Sequence, residues 1–107
     1  MKYIKKYESL NLHEPKIGDY VIVNIDTDYT EIKNYLSDKI GIIKEMGEWR
    51  AEDYIIEFEE YFPENFWEFL EITSNSKIMT IYKKEIKYWS DNKQELQKLL
   101  FLNKYNL

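Results

Sequence analysis

Apolar residues along this chain recur with two periods. Alternating or continuous short runs over 16–24 (KIGDYVIVN), 40–47 (IGIIKEMG), 54–59 (YIIEFE) and 78–82 (IMTIY) predict strands, because β-branched and aromatic residues suit a pleated, half-buried surface. In the third run Ile56 and Phe58 alternate against Glu57 and Glu59, so one face is buried and the other wet. Residues 83–89 continue as a short strand closing the sheet, with Ile86 and Tyr88 pointing one way. Helical spacing takes over at Tyr29, Ile32, Tyr35 and Leu36, and again at Leu96, Leu99 and Leu100 with Phe101 or Leu102. The first set predicts a short helix ending near Asp38. The second predicts a helix over about 91–102 that needs a sheet flank, since an isolated helix of that length is marginal in water. Residues 64–70 read equally as one or two helical turns or as a strand.

Punctuation residues sharpen these bounds. Pro15 and Ile17-Gly18-Asp19 form the entry turn to the first strand. Asp28-Tyr29-Thr30-Glu31 has the spacing of a capping box, and Ser90 or Asp91 caps the last helix. Residues 2–7 fit a helical turn or a strand equally, and the tail from Asn103 frays. The expected fold class is mainly β with α: a small antiparallel barrel of about five strands, a short helix in its first long loop, and a C-terminal helix.

At 107 residues, 1–107 is a single domain with one modest core, the barrel spanning about 15–89. There is no cysteine, which excludes disulfides, thiolate metal sites and thiol nucleophiles and fits a reducing cytosol. No apolar run has signal-peptide or membrane-span length, so the expectation is a cytoplasmic protein without a membrane partner. Charge is unevenly spread. Residues 45–71 carry ten acids against Arg50 alone, whereas 72–107 carry seven lysines against three acids. An anionic block of this kind repels nucleic acid, so any such contact would fall to the C-terminal third.

The order of IGDYVIV, a helix-bearing loop, IGIIKE, a hairpin into YIIEFE and a final strand pair resembles small SH3-like barrels of the KOW and Tudor kind, over residues 15–89. The stretch 84–99 (KEIKYWSDNKQELQKL) is similar to short proteins carried by phages and mobile elements of low-GC bacteria. The first resemblance implies a barrel. Neither implies an activity, because one small barrel hosts many roles and neither a basic binding surface nor an aromatic cage maps onto this sequence.

Candidate chemistry is sparse. His13 is the single histidine, so histidine-dependent triads and multi-histidine metal sites lack partners. Gly18, Gly41 and Gly47 are too scattered for a phosphate cradle. Asp26, Asp28, Thr30 and Glu31 imitate the opening of a calcium loop, but Glu31 replaces the required glycine and Ser37 the bidentate glutamate. No carboxylate pair stands out as an acid and base. The reading is therefore a non-enzymatic protein with no catalytic residue, cofactor or metal.

In the acidic block, Trp49, Tyr54, Phe58, Tyr61, Phe62, Phe66, Trp67 and Phe69 interleave with the carboxylates. If half those rings fill the core, the rest stand beside acids, as in a protein-binding face. The alternative is a solubilising surface with every ring inside. Glu57, Glu59, Glu60, Tyr61, Glu64, Trp67 and Glu68 are the expected partner-binding residues. The expected partner is a basic host protein, such as a nucleic-acid-binding nuclease of a bacterial defence system, blocked by a phage or mobile-element inhibitor (anti-CRISPR-like) that mimics nucleic acid. The competing reading is a nucleic-acid-binding SH3-like module using Lys77, Lys83, Lys84, Lys87 and Tyr88.

Overall fold

A computed structural model describes residues 14–47 and 53–105, with side chains to residue 102. Its strands are β1 (Tyr20–Val23), β2 (Gly41–Met46), β3 (Asp53–Phe58), β4 (Ile78–Tyr82) and β5 (Ile86–Ser90). The helices are α1 (Thr30–Ser37), α2 (Trp67–Leu70) and α3 (Lys93–Tyr105), with 3-10 turns at Glu64–Phe66 and Lys83–Glu85. All strand pairs are antiparallel, in the order β4-β3-β2-β1-β5. Among the described residues β4 and β5 do not pair, so the sheet is open and not closed into a barrel.

The sheet nevertheless curls. Tyr82 and Ile86 lie four residues apart on opposite edge strands, and four residues reach at most about 14 Å. A flat five-strand sheet would hold its edges about 19 Å apart. The 3-10 turn that interrupts the strand expected over 83–89 fixes this crossing through Glu85. Its two carboxylate oxygens accept the N–H groups of Tyr82 (2.9 Å) and Asp26 (2.7 Å), and its carbonyl accepts that of Asn24 (2.7 Å). One side chain thus ties the end of β4 to the exit of β1.

β1 explains its own continuous apolar run, being covered on both faces. Val21 and Val23 join the main core with Ile43, Tyr54, Ile56, Phe58, Ile81 and Ile86, under Ile32 and Leu36 of α1 and Phe62 and Phe66. Ile22 faces the other way, beneath Leu96 and Leu99 of α3, with Tyr20, Ile40 and Tyr88 around them. The last helix therefore finds the sheet flank it needs, while Phe101 stays 62% exposed.

Two bulges alter the phase. Ile43 faces Ile56 but Glu45 faces Ile55, leaving Lys44 as the extra residue of β2. Likewise Val23 faces Ile86 and Ile22 faces Tyr88, so Lys87 bulges. As a result Ile86 enters the main core and Tyr88 packs beneath α3. The expectation that both point one way is corrected by that single inserted residue.

The entry turn forms as anticipated. Asp19 N–H donates to Lys16 carbonyl (3.0 Å), Gly18 sits at φ +95°, and the Asp19 carboxylate accepts Lys16 N–H (3.1 Å). The caps differ. Helix α1 begins one residue late for the capping box: Tyr29 is its N-cap residue, with no side-chain cap bond, and Tyr29 N–H donates to Thr27 Oγ1 (3.2 Å). At α3 the cap is Asn92, whose Oδ1 accepts Gln94 N–H (3.0 Å), while Ser90 Oγ accepts Asn92 N–H (3.0 Å). Helix α3 continues through Tyr105, past the residue where fraying was expected. Residues 2–7, His13, Trp49 and Arg50 lie outside the described residues.

Candidate functional site

Of the acidic block's rings, Tyr54, Phe58, Phe62 and Phe66 are buried, whereas Tyr61 is 58% and Phe69 38% exposed. Trp67 is half-buried, its indole N–H donating to Phe62 carbonyl (3.2 Å). The block is thus divided between core and surface.

The expected contact residues divide as well. Glu57 pairs with Lys44 (3.6 Å), Glu60 with Lys39 (3.8 Å), and Glu59 with Lys93 at the start of α3. The hydrogen bond from Lys93, and then its charge, hold the exposed Glu59 carboxyl below the usual carboxylate range. Tyr61 lies beneath Lys77, whose ammonium is 5.4 Å from the ring centre. Three glutamates and one tyrosine are therefore already engaged by the chain's own lysines. Among the described residues Glu64 and Glu68 have no lysine partner.

Glu68 opens onto a groove that the sequence reading missed. Asp28, Tyr29, Thr30, Glu31 and Ile32 at the start of α1 face Asn65, Phe66, Glu68 and Phe69 of the 64–70 turn across an open space of about 800 Å³. Among the described residues it is lined by three carboxylates and no lysine or arginine. Tyr29, 66% exposed, meets Phe69 edge-on, with ring centres 4.9 Å apart and planes at 64°. The late start of α1 creates this arrangement. At the N-cap Tyr29 has extended geometry, φ −79° and ψ 93°, so its ring leaves the helical stripe in which it was expected. Asp28 and Glu31, expected to form the capping box, line the groove instead, and the N-cap position falls to Tyr29.

The opposite wall is held by core packing. Phe66 is anchored in the core and tilts against Tyr35 of α1, ring centres 5.3 Å apart. Glu71 ends α2 in a left-handed conformation, φ 58°, where its N–H donates to Glu68 carbonyl (3.2 Å) and Ile72 N–H to Trp67 carbonyl (3.0 Å). That reversal ends α2 after one turn and leaves Glu68 and Phe69 on the rim.

No protein-family model, curated protein or solved structure matches this chain. The site stands on its own geometry.

The lysines of the competing reading are largely engaged. Lys83 pairs with Glu14 and Lys84 with Asp26 (3.5 Å), while Lys77 and Lys87 lie over the rings of Tyr61 and Tyr88. Among the described residues no group of three or more acidic or histidine side chains is placed to hold a metal, and no helix is long and apolar enough to cross a membrane. The sequence signal that could have found the groove was the exposed ring pair's acidic neighbours, Asp28-Tyr29 and Glu68-Phe69, two copies of one dipeptide chemistry.

Proposed function

We propose that this protein is a non-enzymatic binding factor whose acidic, aromatic groove docks a basic surface of a partner protein. The groove between α1 and the 64–70 turn carries this reading: three carboxylates and two exposed rings line its two walls, with no cation among the described lining residues. Carboxylates that have no counter-charge among the described residues attract a cationic partner and steer its approach, and rings beside them supply area to bury. Glu64 does not line the groove, and Glu57, Glu59 and Glu60 belong to internal ion pairs, so these four are secondary. The scaffold is read as SH3-like, a reading supported by the antiparallel order, the short crossing from β4 to β5 and the 3-10 turn within it. The partner class that fits is a cytoplasmic protein with a lysine- and arginine-lined channel, such as a defence nuclease, which a phage or mobile-element inhibitor would occupy as a nucleic-acid mimic. Engagement of Lys83 and Lys84 by acids makes direct nucleic-acid binding the weaker reading.

The test is quantitative capture from a bacterial lysate by the full chain and by a Glu31→Lys/Glu68→Lys variant. A basic protein retained by the first, released by salt and absent from the second, is expected. Equal retention by both would remove the groove from the account.

A further inference from the structure

We infer that the groove receives an arginine side chain presented by the partner, an inference that rests on the docking function proposed above. The chain's treatment of its other rings points there. Lys39 lies 5.0 Å from the centre of Tyr35, Lys77 5.4 Å from Tyr61, Lys84 6.0 Å from Tyr82 and Lys87 5.4 Å from Tyr88. Of the exposed tyrosines, Tyr61 and Tyr82 thus each carry a lysine. Tyr29 and Phe69 carry none among the described residues, and three carboxylates surround them. A cation over an aromatic face is attracted by the ring quadrupole, and more strongly when anions flank it. The groove has both elements and, among the described residues, no cation of its own to meet them.

The geometry selects arginine over lysine. Tyr29 and Phe69 meet at 64°, so a planar group can lie flat on one ring while touching the edge of the other. Asp28 and Glu31 rise from the α1 wall and Glu68 from the opposite one, so the acceptors come from two sides. A guanidinium is planar, stacks on rings and offers donors in a fixed fork to more than one carboxylate, whereas an ammonium is a compact, strongly hydrated point charge. The chain itself holds a single arginine, Arg50, among 15 basic residues.

The experiment titrates full-length nitrogen-labelled protein with an end-capped glycine pentapeptide bearing two arginines, and with its lysine counterpart, at low salt. The arginine peptide is expected to shift the amides of 28–32 and 65–69 and to bind about fivefold more tightly than the lysine peptide. Phe69→Ala and, separately, Glu31→Gln/Glu68→Gln should each weaken it about tenfold while thermal melts confirm folding. Equal affinity for both peptides overturns the arginine assignment and leaves docking by charge intact. Shifts centred on Glu57, Glu59 and Glu60 overturn the groove as the receptor. No shift with either peptide, while the basic protein is still captured, defeats this inference alone; loss of capture as well defeats the docking function.

Discussion

Gly41 opens β2 opposite Phe58 and Val21, and a methyl group there has nowhere to go. A Cβ built on it would sit 2.3 Å from Ile56 Cγ2 and 3.1 Å from Phe58 Cε1. Ile56 is fully buried and β-branched, so its methyl cannot swing aside without moving the strand. Overpacking of this kind costs about 1–3 kcal/mol, offset by about 0.4–1 kcal/mol because alanine narrows the unfolded ensemble. Gly41→Ala should therefore destabilise by about 1–2 kcal/mol, a fall in Tm of about 5–15 °C for a chain this size. Ile56→Leu removes the γ2 methyl and costs less than about 1.5 kcal/mol alone. In urea melts the double variant should be more stable than the sum of the singles by about 1 kcal/mol, since the clash is gone. Strict additivity would refute the close approach of β2 and β3 at this point.

Leu96 is fully buried between α3 and β1, so Leu96→Ala should cost about 2–5 kcal/mol. Hydrogen exchange should show α3 amides losing protection first, because the cluster beneath α3 is separate from the main core; simultaneous loss across the sheet would contradict that division. Glu59, whose folded pKa is depressed by Lys93, contributes stability above the unfolded carboxylate pKa and loses it as pH falls through the folded value. The difference in urea midpoint between the natural chain and Glu59→Gln should shrink across that acidic window and in molar salt; a difference independent of pH would rule out the pair. Tyr54 runs the other way: burial, moderated by Lys83 and reinforced by Glu14, raises its pKa, so stability should fall as pH climbs past the ordinary tyrosine range. Ultraviolet titration should find one phenol ionising last or with unfolding.

Much of the scaffold was legible because period-two runs bounded by Pro15, Gly41 and the 74–76 loop define strands locally. β2, β3 and β4 fall within a residue or two of their expected limits, and α1 and α3 present Ile32, Leu36, Leu96 and Leu99 as the spacing requires. What escaped depends on contacts between distant residues. The bulges at Lys44 and Lys87 are settled by pairing register, and local sequence has no mark for them. The turn at Lys83–Glu85 depends on Glu85 reaching Asp26, 59 residues away. The site was half legible for the same reason. Composition located the acidic, aromatic block, but which acids are neutralised depends on Lys39, Lys44 and Lys93 arriving from other elements. Tyr29 and Phe69 meet only when α1 and α2 pack on one core through Ile32, Tyr35 and Phe66.

A hydrogen-exchange footprint of the protein bound to its captured basic partner tests the docking groove most directly. Protection gained at 28–32 and 65–69, with β4 and β5 unchanged, is the result the account predicts. Protection centred on residues 77–88 and absent from the groove would contradict it.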